Sequence, residues 1–256
     1  MELVDSHAHI DVAEFDADRN AVLARARSAG VTRQIVPAIA LGGFAKLRDL
    51  CRSESGLHPA YGLHPMYLAE HRDGHLEELG AWIEQEHPVA VGECGLDFHV
   101  DGLDPDVQRR YFRRQLQIAA EFDLPVVLHA RRAVDEVITT LRTAGGLRGV
   151  VHSFSGSPEQ ARQLWNLGFC VGIGGPVTYA RARRLRGIVA SMPLEYLLLE
   201  TDSPDQPLHG HQGARNEPAL LSEVCACVAA LRGVAADEIA AATTGNAQRL
   251  FGLPPG

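Results

Sequence analysis

Lysine is almost missing from this chain. Of its 24 basic residues 23 are arginine, and the single lysine, Lys46, falls in a stretch that reads as a surface helix. A catalytic Schiff base, or a carboxylated lysine bridging two metals, would have to use Lys46, and its position suits neither task. Cysteine is scarce too. Cys51, Cys94, Cys170, Cys225 and Cys227 are odd in number and contain no Cys-x-x-Cys pair, which argues against a disulfide scaffold and against a zinc ribbon. They read as buried thiols. No apolar run approaches the ~20 residues needed to cross a bilayer, so no membrane association is expected. The N-terminus runs straight into Glu2 and Asp5 without the basic start, apolar centre and cleavage site of a secretory signal, which points to the cytoplasm. A net charge of −8 does not suit a protein that coats nucleic acid through a broad basic surface, although a local positive groove is compatible with it.

What is present is an ordinary globular composition, 46% hydrophobic and 22% charged over 256 residues, long enough to bury a large core without disulfides or oligomerisation. Nothing in the sequence calls for an obligate protein partner. No low-complexity linker or shift of composition divides the chain, so residues 1–256 read as a single domain. Short β-branched-rich apolar runs begin near Glu2, Arg33, Leu57, Pro88, Pro125, Gly149, Phe169 and Glu195. Between them lie stretches of helical periodicity, including Asp18–Ala29, Leu76–Glu86, Pro105–Phe122, Pro158–Leu167 and Ala180–Ala190. That alternation is the signature of strand-crossover-helix units and a parallel sheet, and eight of them in about 250 residues is the size of an α/β (β/α)8 TIM barrel. The competing fold is an open doubly wound sheet. Its glycine-rich phosphate loop has no counterpart after the first strand. After the eighth run comes a Pro/Gly-rich excursion, Ser203–Pro218, then a helix around Ala219–Leu231 and a closing segment that packs Leu250 and Phe251 under the barrel.

In such a barrel the chemistry lies at the C-terminal ends of the strands. His7 and His9 end the first strand and, two residues apart in extended chain, share one face. Glu93 ends the fourth, His129 the fifth, His152 the sixth and Asp202 the eighth. Each closes a hydrophobic run, and as packing residues each would need its own buried hydrogen-bond partner. A shared pair of divalent ions satisfies all six. His7, His9 and Asp202 are assigned to one ion, His129 and His152 to the other, and Glu93 bridges, a carboxylate being required where lysine is so scarce. Imidazole with carboxylate favours zinc or manganese, with magnesium the third choice. Two carboxylates against two divalent ions leave about +2 in the centre, suited to an anionic substrate such as a phosphate ester. The expected reaction is hydrolysis by a water acidified by the ions, with Asp202 as the base that orients it and takes its proton. His64, ending the third strand, and Arg131 and Arg132 beside His129 are expected to contact substrate. Glu200 lies one step deeper and supports the ligands, while His209 and His211 read as solvated loop residues.

The chain carries Asp5-Ser-His-Ala-His-Ile-Asp11, Gly62-Leu-His-Pro65, Gly92-Glu-Cys-Gly-Leu-Asp97, Leu128-His-Ala-Arg131, Val151-His-Ser-Phe-Ser-Gly156, Leu199-Glu-Thr-Asp-Ser-Pro204 and Asn216-Glu-Pro218. With these motifs, in family order over its whole length, it resembles the TatD family of metal-dependent hydrolases. The resemblance implies a barrel of the amidohydrolase type, a divalent-metal centre at the residues named above, Asp202 as both ligand and base, and deoxyribonuclease activity, often 3′ to 5′ exonucleolytic. After Asp202-Ser-Pro204 the nuclease-like members continue with an aromatic-aliphatic pair. Here the chain reads Asp205-Gln-Pro-Leu208, similar to the YjjV-like branch.

Three functions compete for these residues. A phosphodiesterase acting on DNA ends needs only a short basic path for a single strand, yet the candidate arginines, Arg109-Arg110, Arg113-Arg114 and the Arg181–Arg186 cluster, lie on helices whose exposed faces are expected to point away from the mouth. A hydrolase of small esters or of aminoacyl-tRNA would use the same water on a carbonyl. A non-catalytic metal-binding module would have no need of Asp202 beside an open centre.

Overall fold

Eight parallel strands follow one another in sequence order around a barrel in the computed structural model, which describes residues 1–254. They are β1 (Leu3–Asp5), β2 (Val31–Pro37), β3 (Leu57–Tyr61), β4 (Ala90–Asp97), β5 (Val126–Arg131), β6 (Gly149–Val151), β7 (Phe169–Ile173) and β8 (Leu197–Leu199). The seam between β8 and β1 is drawn together just past the strands, where the amide of Ser6 donates to Leu199 O (2.9 Å), that of Asp202 to His7 O (2.9 Å) and that of His9 to Ser203 O (2.8 Å). The same bonds bring the first and last site motifs side by side. The open doubly wound alternative is thereby excluded.

The outer layer consists of α1 (Arg19–Ser28), α2 (Phe44–Ser53), α3 (His75–Glu86), α4 (Pro105–Glu121), α5 (Val134–Ala144), α6 (Pro158–Asn166), α7 (Arg183–Ser191), α8 (Leu221–Arg232) and α9 (Ala236–Phe251). Two of the starts are written locally. Asp104 accepts from the amides of Asp106 and Val107 with Pro105 at the first turn of α4, and Ser157 forms a capping box with Gln160 around Pro158 at α6, each satisfying amides that a helix start leaves free. Lys46 sits on α2, exposed and paired with Asp16.

Inside the barrel each strand supplies one buried apolar residue, among them Val4, Ile35, Val127 and Leu198, and α9 closes the bottom of this layer with Leu250 and Phe251. Asn246 fixes the plug by donating to Leu194 O and Leu197 O. With the bottom sealed, access is from the C-terminal ends of the strands. Among the described residues no single helix is long and apolar enough to cross a membrane.

Five details differ from the sequence reading. β1 stops at Asp5, so His7 and His9 lie beyond the strand, and β4 runs on past Glu93 to Asp97. Ala180–Ala182 precede α7, because the chain first makes a turn of 3-10 helix at Gly175–Thr178. Residues 194–196 form another such turn before β8, which begins at Leu197. Of the five thiols Cys94, Cys170 and Cys225 are buried and Cys51 and Cys227 only half-buried.

Candidate metal centre

Asp5, the last residue of β1, is fully buried and sets the position of everything after it. Its Oδ1 accepts from the amides of His7 (3.2 Å) and Thr201 (3.0 Å), and its Oδ2 from the Thr201 hydroxyl (2.6 Å). The His7-Ala8-His9 turn is therefore held against the residue that precedes Asp202. Burial raises the pKa of Asp5 to about 7 against the hydrogen bonds from Thr201 and His7.

Glu93 stands at the middle of the site, 1% exposed, and its two oxygens face different histidines. Oε2 lies 3.2 Å from His7 Nε2 and 3.4 Å from His9 Nε2. Oε1 lies 2.8 Å from His152 Nε2, 3.1 Å from His129 Nδ1 and 3.0 Å from His64 Nε2. Asp202 completes the first group, with Oδ1 3.5 Å from His7 Nε2 and 3.8 Å from His9 Nε2. The backbone makes this convergence possible at Gly95, whose φ is +140° and where a Cβ would stand 2.1 Å from His129 O. Only glycine lets β4 lie this close to β5.

The far side of each ring decides which nitrogen can bind a cation. His9 Nδ1 donates to Pro37 O at 3.1 Å, leaving the lone pair of Nε2 turned inward. His129 Nε2 bonds Asp97 Oδ2 at 2.9 Å, leaving the lone pair of Nδ1 turned inward. His64 is the opposite case. Its Nδ1 accepts from the Met66 amide at 3.1 Å, so a neutral ring carries its proton on Nε2 and donates it to Glu93. His64 thus belongs to the centre as a hydrogen-bond donor to the carboxylate, its ring edge still lining the cavity.

Burial alone would raise the pKa of Glu93, but the surrounding histidines hold it well below the usual carboxylate range. Burial works equally against charge on His9 and His152, and Glu93, helped by Asp202, overrides it and pushes them up to about 9 and about 10. His7 goes the other way, lowered well below the usual histidine value by burial and by His152, on which its ring stacks at 3.9 Å. The centre demands positive charge. The fit to a cation is also visible in what is left over: Glu93 Oε2, although close to two ring nitrogens, accepts a hydrogen bond from neither. A buried carboxylate oxygen and inward lone pairs on imidazoles form the donor set of a divalent ion. His7, His9 and Asp202, and His7, Glu93 and His152, each place three ligand atoms within 4.8 Å of one another.

Several residues outside the sequence-derived set shape the site. Asp97 orients His129. Gln206 Nε2 donates to Asp202 Oδ2 and, at 2.6 Å, to the Ser153 hydroxyl. Glu200, which the sequence reading already placed behind the ligands, is buried, with Oε1 accepting from the Ser153 amide and 3.8 Å from His152 Nδ1, and burial pushes it up to about 8. Asp97 and Gln206 both lie within motifs noted in the sequence, but their roles depend on which strand or loop they meet. Of the two arginines after His129, Arg131 lines the cavity above the centre. Arg132 is exposed outside that lining, because the chain turns into a left-handed conformation there (φ 53°). His209 and His211 are away from the centre, packed against Tyr179 and paired with Glu223. The Ser203–Pro218 excursion is tied down: Tyr179 donates to Pro207 O, and Asn216 to Thr201 O and Asp205 O.

A family model described as TatD related DNase matches residues 4–252. The chain belongs to the TatD family. It is 43% identical to YjjV of Escherichia coli K12, described as a metal-dependent hydrolase, with 98% of each chain covered. It is 35% identical to the metal-dependent hydrolase YabD of Bacillus subtilis 168, over 97% of this chain and 98% of that one. The crystal structure of E. coli YjjV superposes with a TM-score of 0.95 at 42% identity, covering 98% of both chains. An organophosphorus hydrolase variant from Deinococcus radiodurans shares the fold with a TM-score of 0.67 at 16% identity, over 97% of this chain and 92% of that one. This TatD chain is a metal-dependent hydrolase whose His, Glu and Asp clusters are able to bind metal.

Proposed function

We propose that this chain is a phosphodiesterase that uses two divalent ions to hydrolyse DNA ends. The observation that carries the reading is the split of Glu93, with Oε2 turned to His7 and His9 and Oε1 to His129 and His152. A carboxylate shared in this way could serve two ions. His7, His9 and Asp202 would hold one, His129 and His152 the other. Zinc or manganese suits this mixed imidazole and carboxylate shell. When bound, the ions supply an acidified water and positive charge for the phosphoryl oxygens.

The protein's own groups do the rest. Asp202 orients the attacking water and takes its proton on Oδ2, the oxygen that Gln206 holds away from the histidines. His64 keeps its Nε2 proton on Glu93 and so fixes that carboxylate. Asp97 keeps His129 in the tautomer that faces inward. Arg131 approaches the substrate phosphate from the cavity wall, where its planar donors match two phosphate oxygens. The family description as a DNase supports DNA as the phosphodiester, and an anionic substrate suits a centre in which two divalent ions would outweigh the charges of Glu93 and Asp202.

The test is turnover by metal-loaded protein of single-stranded DNA, bis-p-nitrophenyl phosphate and a carboxyl ester, with metal counted per chain. Expected are phosphodiester hydrolysis that requires manganese or zinc, two ions per chain, and loss of about 10²–10⁴-fold in kcat on Asp202→Asn. Undiminished turnover by that variant would rule out Asp202 as the base. A single ion with no second site at millimolar metal would rule out the bridge, and preference for the carboxyl ester would overturn the substrate class.

A further inference from the structure

The cavity above the centre is about 890 Å³ in volume. Its lining includes Arg131 from the end of β5, Arg181 from the segment between β7 and α7, and Arg183 and Arg184 from the first turn of α7. It also includes Met66 and Tyr67, which follow β3, and the carboxylates of Glu14 and Asp205. The placement of the Arg181–Arg184 run corrects the expectation that these side chains face away from the mouth. They precede or begin α7, where the 3-10 turn at Gly175–Thr178 delivers the chain to the rim.

Several arginines elsewhere are neutralised, although among the described residues the exposed Arg72, Arg113, Arg132 and Arg142, none of which lines the cavity, also have no carboxylate partner. Arg109 pairs with Glu136, Arg110 with Asp73, Arg114 with Glu121 and Arg148 with Asp123. Among the described residues Arg131, Arg181 and Arg183 have no carboxylate partner, although all three are exposed. Arg184 donates to Ser155 O at 2.8 Å, and Arg181 lies over the Tyr179 ring at 5.1 Å. In a chain of net charge −8, unpaired guanidiniums lining one cavity attract an anion into it. The volume is near the upper end of the ~300–1,000 Å³ of small-molecule sites, more than one phosphodiester linkage requires. Tyr67, 37% exposed and in the same lining, offers a ring against which a base can stack.

We infer that Arg181 and Arg183, beyond Arg131 at the phosphate being cleaved, form a second phosphate site that takes the next phosphate along the strand. The preferred substrate is then a strand with at least two consecutive phosphodiesters rather than an isolated diester. This rests on the phosphodiesterase reading above.

The experiment compares metal-loaded protein on a dinucleotide, with one linkage, and a trinucleotide, with two. Wild type should gain about tenfold or more in kcat/KM on the second linkage, the value of a charge-assisted bond. In Arg181→Gln/Arg183→Gln most of that gain should vanish, chiefly through KM. The slope of log kcat/KM against log salt should flatten by about 0.7 for each phosphate of a single strand that the variant no longer neutralises. Arg181→Lys/Arg183→Lys should restore the slope because it restores the charge. Circular dichroism and melting temperature establish that these exposed substitutions leave the fold intact. Equal kcat/KM for the two wild-type substrates, or a gain that survives in the glutamine variant, overturns the second site alone. Absence of phosphodiester turnover on every substrate overturns the underlying reading and this site with it.

Discussion

Nε2 of His129 stands 2.9 Å from Oδ2 of Asp97. The other oxygen of Asp97 accepts from the amides of His99 (2.8 Å) and Val100 (3.1 Å). Burial opposes its charge, but the bonds from His129 and these amides bring its pKa down to about 2. Ionised Asp97 can only accept, so His129 donates from Nε2 and its Nδ1 is left to face Glu93. A carboxylate behind a histidine ligand fixes the tautomer and increases its basicity.

Asp97→Asn removes that control while leaving the shape. Metal affinity at the His129–His152 site should fall by about 10–100-fold, with the His7–His9 site little affected. Competition with a chelator, read as ions retained per chain, separates the two sites; equal loss from both would show that Asp97 supports the whole barrel mouth instead.

Gln206 acts on Asp202 in a similar way from the loop after β8. Its amide donates to Oδ2 and so works against the rise in pKa that burial imposes on Asp202. Gln206→Ala should lower kcat by about tenfold, the worth of one bond to a charged group, with metal content unchanged. The acid limb of the rate profile should move to higher pH, because the carboxylate that has lost a donor protonates more readily.

The excursion at Ser203–Pro218 is anchored by charge. Glu217 accepts from Arg25 at 2.8 Å and Arg215 at 3.1 Å, and Arg215 also grips Asp18 at 2.7 Å. Arg25 is the main cause of the lowered pKa of Glu217, which starts from 4.5. A depressed carboxylate pKa stabilises the fold above the unfolded value and ceases to do so as pH falls through the folded one. Glu217→Gln should therefore reduce stability near neutrality, by on the order of 1 kcal/mol or less because water screens the network. Melting temperatures of the two proteins should converge as pH drops below 4.5.

Phe251 tests the plug. It is 4% exposed beneath the barrel, and Phe251→Ala should cost about 3–5 kcal/mol in denaturant unfolding through the cavity left behind. Folded variant should still bind its full complement of metal, since the residue lies at the opposite end of the barrel from the site.

The alternation of apolar runs and helical stretches, and the polar residue closing each run, were legible because they are local: a strand's burial and a helix's cap are written within a few residues of each other. That suffices for the barrel and for His7, His9, Glu93, His129, His152 and Asp202 as a candidate set. Ring tautomers are not local. Whether His64 and His129 offer a lone pair or a proton depends on Met66 N and Asp97 Oδ2 on their far sides. Asp97 reaches His129 only because β4 runs beyond Glu93 in register with β5, pairing Gly95 with His129 and Asp97 with Arg131. The set of arginines in the cavity lining has the same origin. Arg131 and Arg181 are 50 positions apart in the chain, and only closure of the barrel brings the end of β5 and the turn after β7 to one rim. Residue types determined what the site can bind; register and closure decided which atom of each residue does so, because hydrogen-bond geometry is set by neighbours that lie far away in sequence.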